Sequence, residues 1–360
     1  MNVLIAGYGG IGKAIHALIK AQPLEWINEI YIAEIATGIS AQEMIRQKKD
    51  VLDLVINVTT DYGDTILKLC RDHKIHYLDT GLENAGDIID LLAAPAPSET
   101  VNLFGFGMNP GLIEFMYRRQ DVSGKHSVIE IEHDTAEFPD AVFGTWSPQM
   151  YYSEAVEEPP FAYVNGEMLE IFRSDQGPDM ELEIEGHQPR KYLWIPHEEI
   201  YSMGSSNDEC QFAGYLYSAP EMIQSLAIEC RKSGGKFPDL PVRHRLKGSD
   251  TIGLLLLDES GGATYVYNRA SHQQCYDSFQ VNATCWQVAC GIYSGLSVLD
   301  KLAPGNYTMS TIPQSLLGCI DTQLKMLGFD ISIQQLKRPD KLRNVKVKLA
   351  DGEKMAWCGF

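Results

Sequence analysis

Asn2–Ala6 is a short apolar run of strand type, and Gly7-Tyr8-Gly9-Gly10-Ile11-Gly12 follows it directly. Ile11, Ile15, Leu18 and Ile19 then recur at helical spacing until Pro23. Ile30–Ala33 predicts a second strand ending in Glu34, and Asp53–Val58 a third. A helix over Tyr62–His73, with Ile66, Leu69 and Cys70 on one face, leads to short strands at Ile75–Leu78 and Val101–Phe106. Strands alternating with helices predict a parallel sheet covered on both faces. From about Val128 the period changes. Val128, Glu130, Glu132 and Asp134 alternate with Ile129, Ile131 and His133, the pattern of a half-buried strand. On that pattern Glu132 belongs either to a solvated face or to a site. Ile252–Leu257 and Ala263–Tyr267, joined through Ser260-Gly261-Gly262, predict a hairpin. Residues 135–250, rich in Pro, Gly, Tyr and Trp, read as short extended pieces. Asn282 predicts the N-cap of an apolar helix from Ala283 to Leu302, and a further helix over Gln314–Leu327 stops at Gly328.

Length turns these elements into domains. A chain of 360 residues is too long for one ordinary core. Residues 1–115, with about 282–330, predict a Rossmann-type dinucleotide-binding domain of α/β class. Residues 116–281 predict an α+β substrate domain with a mixed or antiparallel sheet, and 331–360 a carboxyl-terminal extension. Hydrophobic content of 44% with 22% charged residues excludes a disordered chain. No apolar run approaches the roughly 20 residues that span a bilayer, so no membrane partner is expected. The eight cysteines show no CxxC and no recurrent spacing, which predicts reduced thiols and a cytoplasmic location. No His/Cys cluster has zinc spacing, so no metal is expected. The net charge of -18 argues against nucleic acid, since phosphate contacts need a basic surface. It serves solubility or attracts a cationic substrate, and charge alone does not choose between them.

The glycine run is the most specific local signal, because it follows a strand, opens a helix and has an acid at the end of the next strand. Gly7 permits the tight turn, Gly9 and Gly10 let the backbone approach a pyrophosphate, and Gly12 brings helix and strand close. Ile11 lies within the same turn. Glu34 is placed to bond both ribose hydroxyls and to repel a 2′-phosphate, which predicts NAD rather than NADP. Thr59 and Asp79, at the ends of the next two strands, complete the expected cofactor contacts, and Glu83 lies just beyond, where open α/β sheets place ligands.

Several segments in order resemble the homospermidine synthase family of the saccharopine dehydrogenase-like superfamily. They are Asp79-Thr80 with Glu83, Gly107-Met108-Asn109-Pro110-Gly111, Glu132-His133-Asp134-Thr135, Thr145-Trp146-Ser147 with Ser153-Glu154, and His197-Glu198-Glu199-Ile200-Tyr201-Ser202. The hairpin Ala263–Ser271 and Asn282-Ala283-Thr284, with Gln287-Val288 and Gly291, continue the order. The resemblance implies that bound NAD takes a hydride from the amine-bearing carbon of a diamine such as putrescine. The imine then exchanges its nitrogen for a second amine, and the hydride returns. It also implies a homodimer. The expected catalytic residues are Asn109, Glu132, Trp146, Glu154 and His197, with Glu83 and Tyr265 toward the substrate. Acids and a Trp ring face suit a diammonium ligand, and His197 suits proton transfer near neutral pH.

The chain departs from the family in being shorter between Glu83 and Asn109 and between Thr135 and Trp146. Phe106 stands where a histidine is common, and Arg269 falls in a glycine-serine-glutamine stretch. Two other functions stay open. A saccharopine-reductase-like enzyme would draw a substrate-carboxylate pocket from Arg190-Lys191 or from Arg243 with Arg245. A non-catalytic NAD-sensing protein would keep the glycines and have no use for the acids.

Overall fold

In the computed structural model, which describes residues 1–59, 65–81, 99–174, 176–184, 188–337, 339, 342, 345–348 and 354–357, β1 (Asn2–Ala6) is buried from Val3 onward. That is what a strand without outward polar positions requires when both faces of its sheet are covered. The chain divides into two units. The first comprises Met1–Phe115, Asp277–Val281 and Cys285–Phe329, and the second Met116–Tyr276, Asn282–Thr284 and Asp330–Phe360.

In the first unit α1 (Gly10–Ala21) follows β1 and buries Ala14, Ile15, Leu18 and Ile19. Then come β2 (Glu29–Ala33), α2 (Ala41–Lys48), β3 (Leu54–Asn57), α3 (Thr65–His73), β4 (His76–Asp79), β5 (Val101–Leu103) and α4 (Leu112–Arg118). The segments α9 (Ala283–Leu296) from Cys285 onward, β14 (Gly305–Tyr307) and α10 (Leu317–Met326) return to this unit. The six strands run in the order β14-β5-β4-β3-β1-β2, and every neighbouring pair is parallel. The chain leaves β1 toward β2 on one side and resumes at β3 on the other. The carboxyl end of β1 is therefore the switch point where such sheets bind ligands. The expected helix from Ala283 ends at Leu296 rather than Leu302, and the expected helix from Gln314 opens as a tight 3-10 turn before α10.

The second unit is built on one long mixed sheet. Its strands are β6 (His126–Asp134), β7 (Phe161–Val164), β8 (Glu167–Ile171), β9 (Met180–Leu182), β10 (Arg190–Trp194) and β11 (Cys210–Ser218). The hairpin β12 (Ser249–Asp258) and β13 (Gly262–Ser271) follows, then β15 (Ile331–Lys337), β16 (Val345–Lys348) and β17 (Lys354–Trp357). The main path is β15-β13-β12-β6-β11-β7-β8-β16-β17, with β10 beside β11 and β9 beside β10. Here β6 and β11 are parallel, whereas β12 pairs antiparallel with both β6 and β13. Among the described residues four helices accompany the sheet: α5 (Pro148–Tyr152), α6 (Glu199–Ser205), α7 (Glu221–Ser233) and α8 (His272–Phe279). Among the described residues past Asp330, β15 pairs with β13 and β16 with β8. The region 135–250 holds more regular structure than short extended pieces. Pro220 before α7 and Gly234 in the left-handed conformation after it are start and stop signals legible in the chain.

The half-buried reading of β6 is corrected: all nine residues are buried. Ile129 and Ile131 join an apolar cluster with Trp194, Leu216, Leu255 and Leu257. Glu130, Glu132 and Asp134 occupy the other face and are buried as well.

Candidate active site

Two sets of residues have the makings of a site, one in each unit. In the first, Gly7 adopts φ +92, and a Cβ there would lie 2.8 Å from the Val58 carbonyl oxygen. A Cβ on Gly12 would lie 2.1 Å from the Gly7 oxygen, so helix and strand approach as closely as they do only because this residue is glycine. Gly9 is different. It is exposed, and a Cβ there would meet nothing within 4 Å. Gly9 is the N-cap of α1, with no capping side chain, and the first turn carries no acid, so the N–H groups of Gly10 and Ile11 keep a helix terminus suited to an anion. The Glu34 carboxylate accepts the Tyr8 N–H at 2.6 Å and the Ala36 N–H at 3.1 Å. These bonds, Ala36 first, hold its pKa below the usual carboxylate range, with help from Lys13. The Thr59 hydroxyl donates to Asn57 at 2.7 Å, and a Cβ on Gly7 would come within 3.1 Å of its methyl group. The donor set fits a dinucleotide: bare helix N–H groups for phosphate and an ionised acid one strand away for ribose.

Asp79 is buried at the end of β4 and accepts the Gly105 N–H at 2.7 Å, tying β4 to the turn after β5. Asn109 stands half-buried on that turn, and its bond to Pro110 is cis. Glu83 lies outside the described residues.

In the second unit, strand register gathers the acids. Glu130, Glu132 and Asp134 of β6 pair with Leu254, Ile252 and Asp250 of β12, and Glu130 and Glu132 pair with Tyr215 and Tyr217 of β11. Paired residues share a face, so three acids of one strand meet a fourth from the next. The Tyr215 hydroxyl donates to Glu132 at 2.5 Å. Burial and the Glu132 and Glu130 carboxylates keep that phenol protonated, raised well above the usual range. Trp146 is half-buried near Tyr217, whose phenol burial and then Glu132 keep protonated, raised well above the usual range.

His197 stands edge-on to Tyr215, ring centroids 5.6 Å apart, and its Nδ1 bonds Glu199 at 2.5 Å with Glu198 at 3.5 Å. Burial alone pulls the ring pKa down, but Glu199, Glu198 and Glu154 outweigh it and hold His197 charged, well above its ordinary value. Glu199 answers with a lowered pKa: His197 overcomes the opposing effect of burial. Glu154 is pushed up to about 8, first by burial and then by Glu158, Glu198 and Glu199, with His197 opposing. The atoms of His197, Glu198 and Glu199 also lie within 4.8 Å of one another, close enough to hold a cation, although the His197–Glu199 bond already gives each a partner.

Below Glu132 lies a second network. Asp134 accepts the Thr145 hydroxyl at 2.8 Å and bonds His272 Nε2 at 3.0 Å. His272 Nδ1 accepts the Ala283 N–H at 3.1 Å, so the ring proton sits on Nε2 and is donated to Asp134. Asp250 accepts the Thr284 hydroxyl at 2.6 Å, and burial with Glu132 and Asp134 raises its pKa well above the carboxylate range. The Asn282 amide donates to the carbonyls of Thr145 and Arg243 at 2.5 and 2.8 Å, a role that reaches beyond a cap.

Four of the expected catalytic residues thus share one neighbourhood: Glu132, Trp146, Glu154 and His197. Tyr265 does not. It pairs with Leu255, which pairs with Ile129, and its ring is fully buried in the apolar cluster on the opposite face, stacked 4.6 Å from Tyr267. Arg269 pairs with Thr251 on that opposite face and is exposed, so it brings no charge among the acids. Glu130, Glu198, Glu199, Tyr215, Tyr217 and Asp250 were not expected as site residues. The alternation at Glu130, Glu132 and Asp134 was a usable signal, but sequence alone left it readable as a solvated face.

No protein-family model matches the chain, and no curated protein resembles its sequence. Solved structures do resemble its fold. Homospermidine synthase of Legionella pneumophila in complex with NAD aligns at a TM-score of 0.75 and 16% identity, covering 93% of this chain and 91% of that one. Saccharopine dehydrogenase (L-Glu forming) of Saccharomyces cerevisiae aligns at 0.60 and 11% identity, covering 93% of this chain and 99% of that one. The chain therefore shares the fold of these two enzymes.

Proposed function

We propose that the chain is an NAD-dependent oxidoreductase acting on a small cationic amine, with a reaction of homospermidine synthase type. The substrate is a putrescine-like diamine, whose imine exchanges nitrogen with a second amine before it is reduced again. The observation that carries this reading is the buried acidic face of the second unit. Glu132 is 5% exposed and Glu154 9%. Burying carboxylates is costly unless cations or protons compensate them, and a diammonium ligand supplies the compensation. The alternative amino-acid reading wants arginines there, but Arg190 and Lys191 line a separate open groove with Glu181 and Lys232, while Arg243 and Arg245 are exposed.

NAD, when bound, accepts the hydride and returns it. Gly9, Gly10, Ile11 and Gly12 would hold its pyrophosphate at the start of α1, and the ionised Glu34 would bond ribose hydroxyls and repel a 2′-phosphate. Thr59 and Asp79 stand at or just past strand ends of the same unit, and Asn109 on the segment between β5 and α4. Glu132, kept as an acceptor by the Tyr215 hydroxyl, holds one ammonium. Trp146 offers its ring to the cation, worth about 0.5–2 kcal/mol. Glu154, raised to about 8, is poised to take a proton from the amine and give one back near neutral pH. His197 stays charged and fixes the acids around it.

The test is incubation of the pure protein with NAD and putrescine, following amines by mass spectrometry. Homospermidine and ammonia are the expected products. Glutamate- or lysine-linked secondary amines would replace this reading by the saccharopine type. Tight NAD binding with no turnover of any amine would leave a sensor.

A further inference from the structure

Glu154 does not sit on an ordinary helix. α5 runs into a π-helical turn, Ser153–Glu157, closed by the Glu158 N–H on the Ser153 carbonyl at 2.8 Å. The wider closure adds a residue to the turn, and the carbonyls at its end need donors from elsewhere. Two arginines, distant in sequence, supply them. Arg173, just past β8, donates Nη1 to Val156 at 2.9 Å and Nη2 to Glu154 at 3.1 Å and Glu158 at 2.5 Å. Arg231 on α7 donates Nε to the Ala155 carbonyl at 2.6 Å and pairs through Nη1 with Asp179 at 3.1 Å. Asp179 in turn accepts the N–H groups of Ser174 at 2.6 Å and Trp194 at 2.9 Å, which anchors the assembly on β10.

This arrangement is expensive. The Arg231 and Asp179 side chains are 4% and 1% exposed, and burial together with the repulsion of Arg231 brings Arg173 down to about 10. An apolar filling of the same volume is often as stable or more so, so the buried Arg231–Asp179 pair beside the half-buried Arg173 calls for another reason. The carbonyls they bind belong to the four residues Glu154, Ala155, Val156 and Glu158, all in or next to the turn that carries Glu154. We infer that Arg173 and Arg231 are positioning residues, which with Asp179 grip the backbone of the π-turn and aim the Glu154 carboxyl into the buried acidic set. The inference rests on the proposed role of Glu154.

The test uses Arg173→Lys, which keeps the charge but not the planar fork, and Arg173→Met, which removes both. In the full-length protein, the infrared band of the protonated Glu154 carboxyl, identified by its loss in Glu154→Gln, is followed against pH. In the parent its midpoint is expected near about 8. In both Arg173 variants the carboxyl gains water, so the midpoint falls by about a unit or more toward the ordinary carboxylate range. Putrescine turnover falls about tenfold or more, while NAD binding is unchanged. A parental midpoint in both variants, each unfolding cooperatively, would overturn the inference. If the parent turns over no amine, the proposed function fails, and the infrared midpoint still decides the clamp.

Discussion

The two candidate sites treat an acid in opposite ways. Glu34, in the glycine cradle, is held ionised by backbone N–H groups at 2.6 and 3.1 Å. Glu154, in the acidic set, is held protonated toward neutral pH by burial among other carboxylates. The cradle is made largely of backbone, and its capacity comes from side chains that are missing at Gly7, Gly9 and Gly12. The acidic set is made of side chains drawn from β6, β11, β12 and the segments around α5 and α6. A site of the first kind draws on residues close together in the chain, whereas one of the second kind draws on segments far apart in it.

The largest expected effect tests the acidic set. Glu132→Gln should lower amine turnover about 10²- to 10⁴-fold, the range for a lost acid–base or ion-holding group. It should leave stability equal or higher, because Asp250 loses a repelling neighbour. Steady-state kinetics with urea unfolding checks both, and a large loss of stability would show that Glu132 is structural.

A smaller effect separates the glycines of the cradle. Gly12→Ala places a Cβ against the Gly7 carbonyl and should cost about 1–3 kcal/mol of stability along with NAD affinity. Gly9→Ala meets nothing, so stability should hold within about 0.5 kcal/mol while NAD affinity falls. Thermal melting and titration calorimetry on the two variants give the contrast, and equal losses of stability would refute it.

The smallest effect sets the two acids side by side in pH. The folded pKa of Glu154 is raised above the ordinary 4.5, so its contribution is fully present below that value and is lost as pH rises through about 8. The folded pKa of Glu34 is lowered, so its contribution is present above 4.5 and is lost as pH falls through the depressed value. Melting temperature measured from acid to alkaline pH should therefore flatten between about pH 4.5 and about 8 in Glu154→Gln and below 4.5 in Glu34→Gln. Both variants flattening the same limb would break the comparison.

Much of this was legible in the chain, for reasons particular to each part. The β1–Gly7–α1–β2 unit was readable because its signals are local: an apolar run, a glycine turn, a helical period and an acid at the next strand end. The hairpin β12–β13 was readable from its turn. Trp146, Glu154 and His197 were singled out by their order along the chain, without any means of showing that they meet. Tyr265 was misplaced because a one-residue step along a strand changes the face, and only the pairing with Leu255 and Ile129 says which face is apolar.

By itself the sequence determined the glycine cradle and the alternation that puts three acids on one side of β6. The tertiary structure decided that this side is buried, since Tyr215 reaches Glu132 from 83 positions away and His197 arrives on a separate segment. It also decided the grip of Arg173 and Arg231 on the turn that carries Glu154. Burial and pKa depend on what a strand lies against, and those neighbours are brought together only by contacts between residues far apart in the chain.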